Sequence, residues 1–288
     1  MTRIAWYGTG LMGSGFVEAL RKRGVEVTVY NRTAEKALAL ERFGARAVND
    51  PREAARGATQ IHIMLADDAT VDELLERLNG AIEPGTIVID HTTVAPGPTR
   101  KRFERMAERG IAFLHAPVFM SPQACRDGVG VMLVAGPQDV FDKVRASLQP
   151  MTGDLWYTGE RPDKAATLKL FGNEILIALV AGLADGYALA TSAGLRPEEA
   201  YELFSHFKPT VALETRGKTM AAGNFKASFE LSMARKDVRL MIETAAAGGV
   251  PVHFLPGIAT RMDELLAAGH AADDLSVLGV DTVAAAVS

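Results

Sequence analysis

Over the first half of the chain, short apolar runs of strand length alternate with stretches of helical period, and over the second half only the helical period remains. Arg3–Tyr7 (RIAWY) predicts the first strand, a helical stretch runs to Arg23 after a glycine-rich turn, and Val25–Tyr30 predicts the second strand. Further strands are expected over 60–65, 86–90, 112–118 and 129–134, with a last short edge over 155–158. Helical spacing covers 72–78, 96–109 and 141–148, with Pro96 near the start of its helix. This alternation implies a largely parallel sheet covered on both faces. Past Pro162, 164–193 holds a helical period without a break. Ala178, Ala181, Gly182, Ala184 and Gly186 along it would let other helices approach closely. Pro197 opens the next helix, and 210–221, 229–247, 256–267 and 274–285 follow, with Gly248-Gly249 and Gly269 as stops. The expected organisation is an α/β nucleotide-binding domain over 1–161 and an all-helical C-terminal domain over 162–288. The second begins with the long linking helix, and the cleft between the domains is the default active site.

Chemistry enters at the first turn. Gly8-Thr9-Gly10-Leu11-Met12-Gly13 has the GxGxxG spacing and sits between a strand and a helix. In a Rossmann-type unit Gly8 permits the tight turn, Gly10 lets the backbone approach a pyrophosphate, and Gly13 lets the helix pack on the sheet. Amide donors and the helix dipole then receive the phosphates. The spacing alone also fits an ordinary glycine turn; the strand–turn–helix–strand context favours a dinucleotide. At the end of the second strand, where an NAD site usually offers Asp or Glu, the chain has Asn31-Arg32-Thr33, with Lys36 one turn on. A carboxylate would repel a 2′-phosphate, whereas Arg32 can fork onto it. NADP is therefore expected ahead of NAD, although Arg32 also reads as a solvated surface arginine.

Composition narrows the class without changing it. The 288 residues are 48% hydrophobic and 23% charged, as in an ordinary globular protein, with room for two domains. A net charge of -4 gives no sign of a nucleic-acid surface. The single cysteine, Cys125, excludes an intrachain disulfide and a multi-cysteine metal site, and fits a reducing, cytoplasmic setting. The amino terminus carries no signal-like segment, and the uncharged run Ile175–Ala184 is too short to span a bilayer, so no membrane partner is expected.

In such a fold ligands lie beyond the carboxyl ends of the strands. One such end is Asp90-His91-Thr92-Thr93-Val94-Ala95-Pro96, where the hydroxyls suit a substrate or the nicotinamide amide, and equally suit helix caps. The next is His115-Ala116-Pro117-Val118-Phe119-Met120-Ser121-Pro122, an apolar run fit for a substrate pocket, with His115 either an acid/base or a structural residue. On the long helix Lys169 and Asn173 are spaced i and i+4 and share a face. A lysine desolvated in a cleft can exchange the proton that accompanies hydride transfer, and Asn173 can orient it or the substrate. The plain reading is a surface lysine and a packed asparagine. Lys236-Asp237 offers a second cation, or simply a solvated face. There is no HExxH, cysteine pair or histidine cluster to support a metal, and no serine-hydrolase elbow.

Together these residues resemble the β-hydroxyacid dehydrogenase family, which includes 3-hydroxyisobutyrate dehydrogenase and is related to 6-phosphogluconate dehydrogenase; the resemblance covers nearly the entire chain. Gly8–Gly13 matches the family's GLGxMG with Thr9 departing from it, and Met64-Leu65-Ala66 falls where the family has Met-Leu-Pro. Asp90-His91-Thr92-Thr93 with Pro96 matches Asp-x-Ser-Thr-x-x-Pro. The resemblance implies cofactor contacts from Leu65, Ala66 and Thr93 and a substrate contact from Thr92. It also implies that Lys169 is the general acid/base with Asn173 as its partner, that Lys236 reaches the cofactor side, and that Asp237 supports the closed arrangement. Where the family commonly reads Asp-Ala-Pro-Val-Ser-Gly-Gly, this chain has His115-Ala116-Pro117-Val118-Phe119-Met120-Ser121, so the glycine amides that would grip a substrate carboxylate are missing. A greasier lining of Val118, Phe119, Met120 and Ser121 follows, with Arg161 as a speculative carboxylate clamp. The expected activity is an NADP-preferring oxidoreductase interconverting a small β-hydroxy acid or related alcohol with its carbonyl compound, in a homo-oligomer. Rival readings are an aldehyde reductase of the glyoxylate or succinic semialdehyde type, an imine reductase, and a non-catalytic NADP-binding protein.

Overall fold

A computed structural model describes residues 2–282. The chain divides into two compact units, Met1–Glu174 and Ile175–Ser288, with the division inside one long helix.

The first unit is built on a nine-stranded sheet. Strand β1 (Arg3–Tyr7) leads into helix α1 (Leu11–Lys22), then β2 (Glu26–Tyr30), α2 (Ala34–Leu38), β3 (Arg46–Val48), α3 (Pro51–Ala55) and β4 (Gln60–Ile63). Next come α4 (Asp68–Arg77), β5 (Ile87–Asp90), α5 (Pro96–Glu108), β6 (Ala112–His115) and β7 (Val118–Phe119). Helix α6 (Pro122–Asp127), β8 (Val131–Ala135), α7 (Gln138–Leu148) and β9 (Asp154–Gly159) complete the sheet region. The strand order is β3-β2-β1-β4-β5-β6-β8-β7, with β9 on β8. Pairs from β3 through β6 are parallel, β8 runs antiparallel to β6 and β7, and β9 is parallel to β8. The sheet is therefore mixed, and apolar clusters cover both faces.

Three differences from the sequence pattern have local causes. The run expected as one strand over 112–118 is two, because Pro117 has no N–H to continue the ladder. Helix α4 starts four residues earlier than periodicity indicates, because Asp67 accepts from Thr70 N at 2.8 Å in a capping box. The short elements α2, β3 and α3 carry too few residues for a period to register; Asp50 and Pro51 nevertheless supply the cap and first-turn proline of α3.

Helix α8 (Lys164–Ser192) is 29 residues, and α9 (Pro197–Tyr201), α10 (Val211–Ala221), α11 (Leu231–Ala247) and α12 (Leu255–Ala267) follow. By length and composition alone α8 is long enough and apolar enough to cross a membrane, which corrects the expectation drawn from its uncharged run. One such helix is equally the mark of a helix that packs on protein. The helix expected over 274–285 begins as a 3-10 turn over Leu275–Gly279 and is helical at 280–282, and residues 283–285 of that range lie outside the described residues.

Buried carboxylates tie the second unit together. Asp185, within α8, accepts from the backbone N–H groups of His253, Phe254 and Leu255, each at 2.9 Å, at the start of α12. Asp274 accepts from Ser228 N and Oγ, Phe229 N, Ser276 N and Arg216 Nε. Burial alone would raise its pKa, but these donors outweigh burial and hold the carboxyl far below the usual range. A depressed folded-state pKa contributes stability that is full above the unfolded value of about 3.9 and is lost as pH falls below it. Asp274→Asn is expected to cost about 2–3 kcal/mol at neutral pH, with the gap from wild type closing below about pH 4. Urea unfolding across that range measures it; a gap independent of pH would refute the assignment.

Candidate active site

The glycine turn is held open by two close backbone approaches. Gly8 has φ +94, and a Cβ there would lie 2.0 Å from Met64 O at the end of β4. A Cβ at Gly13 would lie 2.0 Å from Gly8 O. Both positions therefore exclude a side chain for reasons internal to the fold. Gly10 differs: its φ is -67 and nothing lies within 4 Å of an added Cβ. That space lies at the N-terminus of α1, whose first turn has no acidic residue and whose N-cap makes no side-chain bond. Free amides and a positive helix end facing vacant space fit a pyrophosphate.

The turn opens on a cavity of about 510 Å³ lined by Gly8, Gly10, Leu11, Met12 and Gly13, by Asn31, Arg32, Thr33 and Lys36, and by Leu65 and Ala66. It brings together most of the residues expected to hold the cofactor. Arg32 and Lys36 are exposed at its edge. Arg77, which sequence reasoning missed, also lines it; its guanidinium lies 5.6 Å over the Tyr30 ring and donates to Tyr30 OH at 3.2 Å. Its one readable signal was Glu73, four residues earlier on α4, which lines the same cavity. Among the described residues of the lining, Glu73 is the acid set against Arg32, Lys36 and Arg77.

Asn31 and Thr9 serve the turn itself. Asn31 Oδ1 accepts Thr9 N at 3.1 Å, and Asn31 Nδ2 donates to Thr33 O at 2.9 Å. Thr9 is buried, and its hydroxyl oxygen has no partner among the described residues.

Thr92 is fixed from three directions. Its N–H donates to Asp90 Oδ1 at 2.9 Å, its Oγ1 accepts Leu65 N at 3.1 Å, and its carbonyl accepts from His115 Nε2 at 3.0 Å. Thr92 is buried, whereas Thr93 is exposed. Burial pushes the Asp90 carboxyl up to about 6, against the pull of Thr92 and of Arg102, whose Nη1 is 3.7 Å from Asp90 Oδ2. His115 is fully buried, and that burial pushes its pKa down to about 4. It is neutral at neutral pH and holds a carbonyl, so its geometry is that of a positioning residue. A second buried pair, His62 and His91, bonds ring to ring at 2.9 Å, with Trp6 stacked on both. Burial lowers both imidazoles, His91 to about 4.

Lys169 is 9% exposed. Its Nζ donates to Asn173 Oδ1 at 3.0 Å and lies 4.0 Å from the centroid of the Phe119 ring. Desolvation lowers its pKa from the ordinary lysine value. The other residues expected to line a substrate pocket divide. Phe119 and Met120 are half-buried, Val118 is in the apolar core, and the Ser121 hydroxyl accepts Ala124 N at 3.1 Å as the cap of α6. Arg161 is not an open clamp, because Asp163 already takes its Nε and Nη2 at 2.8 and 3.3 Å. Lys236 and Asp237 lie on α11, partly exposed and paired with each other at 2.9 Å.

Residues 3–159 match the family profile described as the NAD binding domain of 6-phosphogluconate dehydrogenase. Residues 164–279 match the one described as NAD-binding of NADP-dependent 3-hydroxyisobutyrate dehydrogenase. The chain is 31% identical over 255 residues to an uncharacterized oxidoreductase of Shewanella frigidimarina, covering 86% of this chain and 87% of that one. It is also 31% identical over 244 residues to the cytokine-like nuclear factor N-PAC of Xenopus tropicalis, of which it spans 46%. Among solved structures, an imine reductase from Myxococcus stipitatus in complex with NADP+ matches with a TM-score of 0.89 at 21% identity. A Streptomyces aurantiacus imine reductase matches with 0.87 at 26%; each covers 96% of this chain and 98% of its own. These matches correct the expected placement with 3-hydroxyisobutyrate dehydrogenase, since the structural neighbours are imine reductases and reductive aminases. The departure at Phe119-Met120-Ser121 agrees physically: an aromatic ring and a helix cap stand where a carboxylate grip was looked for.

Gly10→Ala separates binding from folding. The melting temperature should be unchanged within about 2 °C while cofactor affinity falls at least about tenfold. Calorimetric melting and fluorescence titration with the reduced cofactor measure both. An unchanged affinity would remove the turn from the binding site.

Proposed function

Since the chain belongs to the family of the NAD binding domain of 6-phosphogluconate dehydrogenase and is an NAD(P)-dependent oxidoreductase acting on a small organic substrate, we propose that the bond it reduces is a carbon–nitrogen double bond, with NADPH preferred. The observation that carries this reading is the likeness to imine reductases, and the buried Lys169, bonded to Asn173 and roofed by Phe119 in apolar surroundings, is the proton donor it would use.

When bound, a reduced nicotinamide supplies the hydride to the imine carbon. Lys169 supplies the proton: the Nζ–H bond breaks, a substrate N–H forms, and the lysine is left as a neutral amine. Asn173 Oδ1 accepts from Nζ and fixes its direction. Desolvation eases the donation by lowering the cost of losing the charge. Thr92, locked by Leu65, Asp90 and His115, is proposed as a second polar contact in the site. On the cofactor side Arg32 and Lys36 are proposed to receive the 2′-phosphate. A second reading, reduction of an aldehyde or ketone, has one specific support: the same lysine–asparagine pair can protonate a carbonyl oxygen.

The deciding experiment is a panel of cyclic imines, ketone–amine mixtures, aldehydes and hydroxy acids, run with NADPH and NADH on wild type, Lys169→Met and Arg32→Ala. Imine turnover is expected to exceed carbonyl turnover and to fall about 10²–10⁴-fold in Lys169→Met at unchanged cofactor affinity. Because Lys169 acts protonated, the wild-type rate should fall as pH rises through its lowered pKa, and this limb should vanish in the variant. Arg32→Ala should weaken NADPH at least about tenfold more than NADH. Carbonyl turnover without imine turnover would replace the first reading by the second.

We also propose a homodimer. Leu176, Ile177 and Val180 share one face of α8 and are 57–67% exposed, so that face presents large aliphatic side chains to water. A second copy laying the same helix alongside would cover it. Light scattering should give twice the monomer mass, and a monomer at micromolar concentration would refute it.

A further inference from the structure

One contact is peculiar to this chain's own residues. The Phe119 ring, half-buried at the end of β7, packs against two residues on one face of α8. Lys169 Nζ lies over the ring, 4.0 Å from its centroid, and Gly172 meets the ring's tip, where an added Cβ would lie 2.4 Å from Phe119 Cζ. Only glycine at 172 leaves room for the ring, so the ring's seat over the ammonium depends on both residues. An ammonium has three N–H donors. One goes to Asn173 Oδ1, and the aromatic face takes up a second direction as a cation–π contact. A substrate carboxylate beside Lys169 would need that same direction, and would have to exchange water for the edge of an apolar ring.

Resting on the reading of Lys169 as the proton donor, we propose that Phe119 is a specificity-determining residue: seated by Gly172, its ring covers the face of the Lys169 ammonium that an anionic substrate would occupy, and so selects imines whose neighbouring substituent is uncharged and apolar. The third donor of Nζ is left for the substrate nitrogen. Specificity arises by exclusion as much as by attraction.

Two probes of the same five-membered cyclic imine ring test this, one with a methyl and one with a carboxylate on the imine carbon. Wild type should favour the methyl compound in kcat/KM by about 100-fold, and Phe119→Ser should cut that preference at least about tenfold, chiefly by lowering KM for the carboxylate. Gly172→Ala should move the preference the same way by displacing the ring, and Phe119→Tyr should keep it. A readout independent of turnover is the NMR shift of the Lys169 ε-methylene protons. They should be moved upfield by the ring in wild type and Phe119→Tyr, and should return to the ordinary lysine position in Phe119→Ser and Gly172→Ala. Unchanged cofactor affinity verifies that the variants are folded. If neither imine is reduced, the carbon–nitrogen reading fails separately, and the preference is scored on a methyl ketone against the 2-oxo acid of equal length. A preference equal in all variants, or ε-methylene protons at their ordinary position in wild type, overturns the proposal.

Discussion

The close approach of Gly8 to the carbonyl of Met64 organises the first unit. It welds the turn after β1 to the end of β4, so that the amides at the start of α1 and the Met64-Leu65-Ala66 segment form one corner of the cavity. Leu65 N then donates to Thr92 Oγ1, which carries the same corner across to the end of β5. Trp6 reinforces it from below by donating Nε1–H to Gly8 O at 3.0 Å. A side chain at Gly8 would therefore disturb the cradle and the Thr92 loop together. Binding and chemistry share a rigid edge, as preorganised sites require.

Beneath that edge the protein buries a dense set of polar groups, most of them paired. Arg102 is fully buried yet reaches Asp68 at 3.0 Å and Asp72 at 2.8 Å, with Asp90 beyond at 3.7 Å. Leaving such a guanidinium unpaired would cost several kcal/mol, on the order of 3–5, so α4, α5 and β5 are locked as a set. The histidines follow the opposite logic. His91 Nδ1 donates to Ala116 O at 2.7 Å, which leaves its Nε2 to accept from His62. Neutral rings suffice for that relay, and burial keeps them neutral. Groups whose charge would be useful at a site are here spent on orientation.

Much of this was legible in the chain because it follows from local sequence. The Arg3–Tyr7 strand, the glycine turn, and the Lys169–Asn173 spacing each depend on residues a few positions apart. What was not legible depends on register. His62 pairs with Ile89 across β4 and β5 and with Trp6 across β1, and only that alignment stacks the indole on two imidazoles. Ser121 looked like pocket lining until the helix after it claimed its hydroxyl. Arg161 looked like an anion clamp until Asp163, two residues on, engaged it. In each case a nearer partner satisfied a polar group before a ligand could. Phe119 and Lys169 are fifty residues apart, and the β7–β8 pairing places one against the other.

That last placement also bears on how Lys169 could serve as the proposed proton donor. Desolvation lowers the Lys169 pKa and so weakens its hold on the charge. The aromatic face and the Asn173 carbonyl both stabilise the ammonium without neutralising it, as a carboxylate partner would. The charge is thus kept, but weakly, in a site with no counter-ion at hydrogen-bond distance among the described residues. An ammonium so held gains more from passing its proton to an incoming basic nitrogen than one anchored in an ion pair would. On the proposed reading, the ring that would keep a carboxylate off the ammonium also leaves the proton free to pass, and a single side chain would account for both.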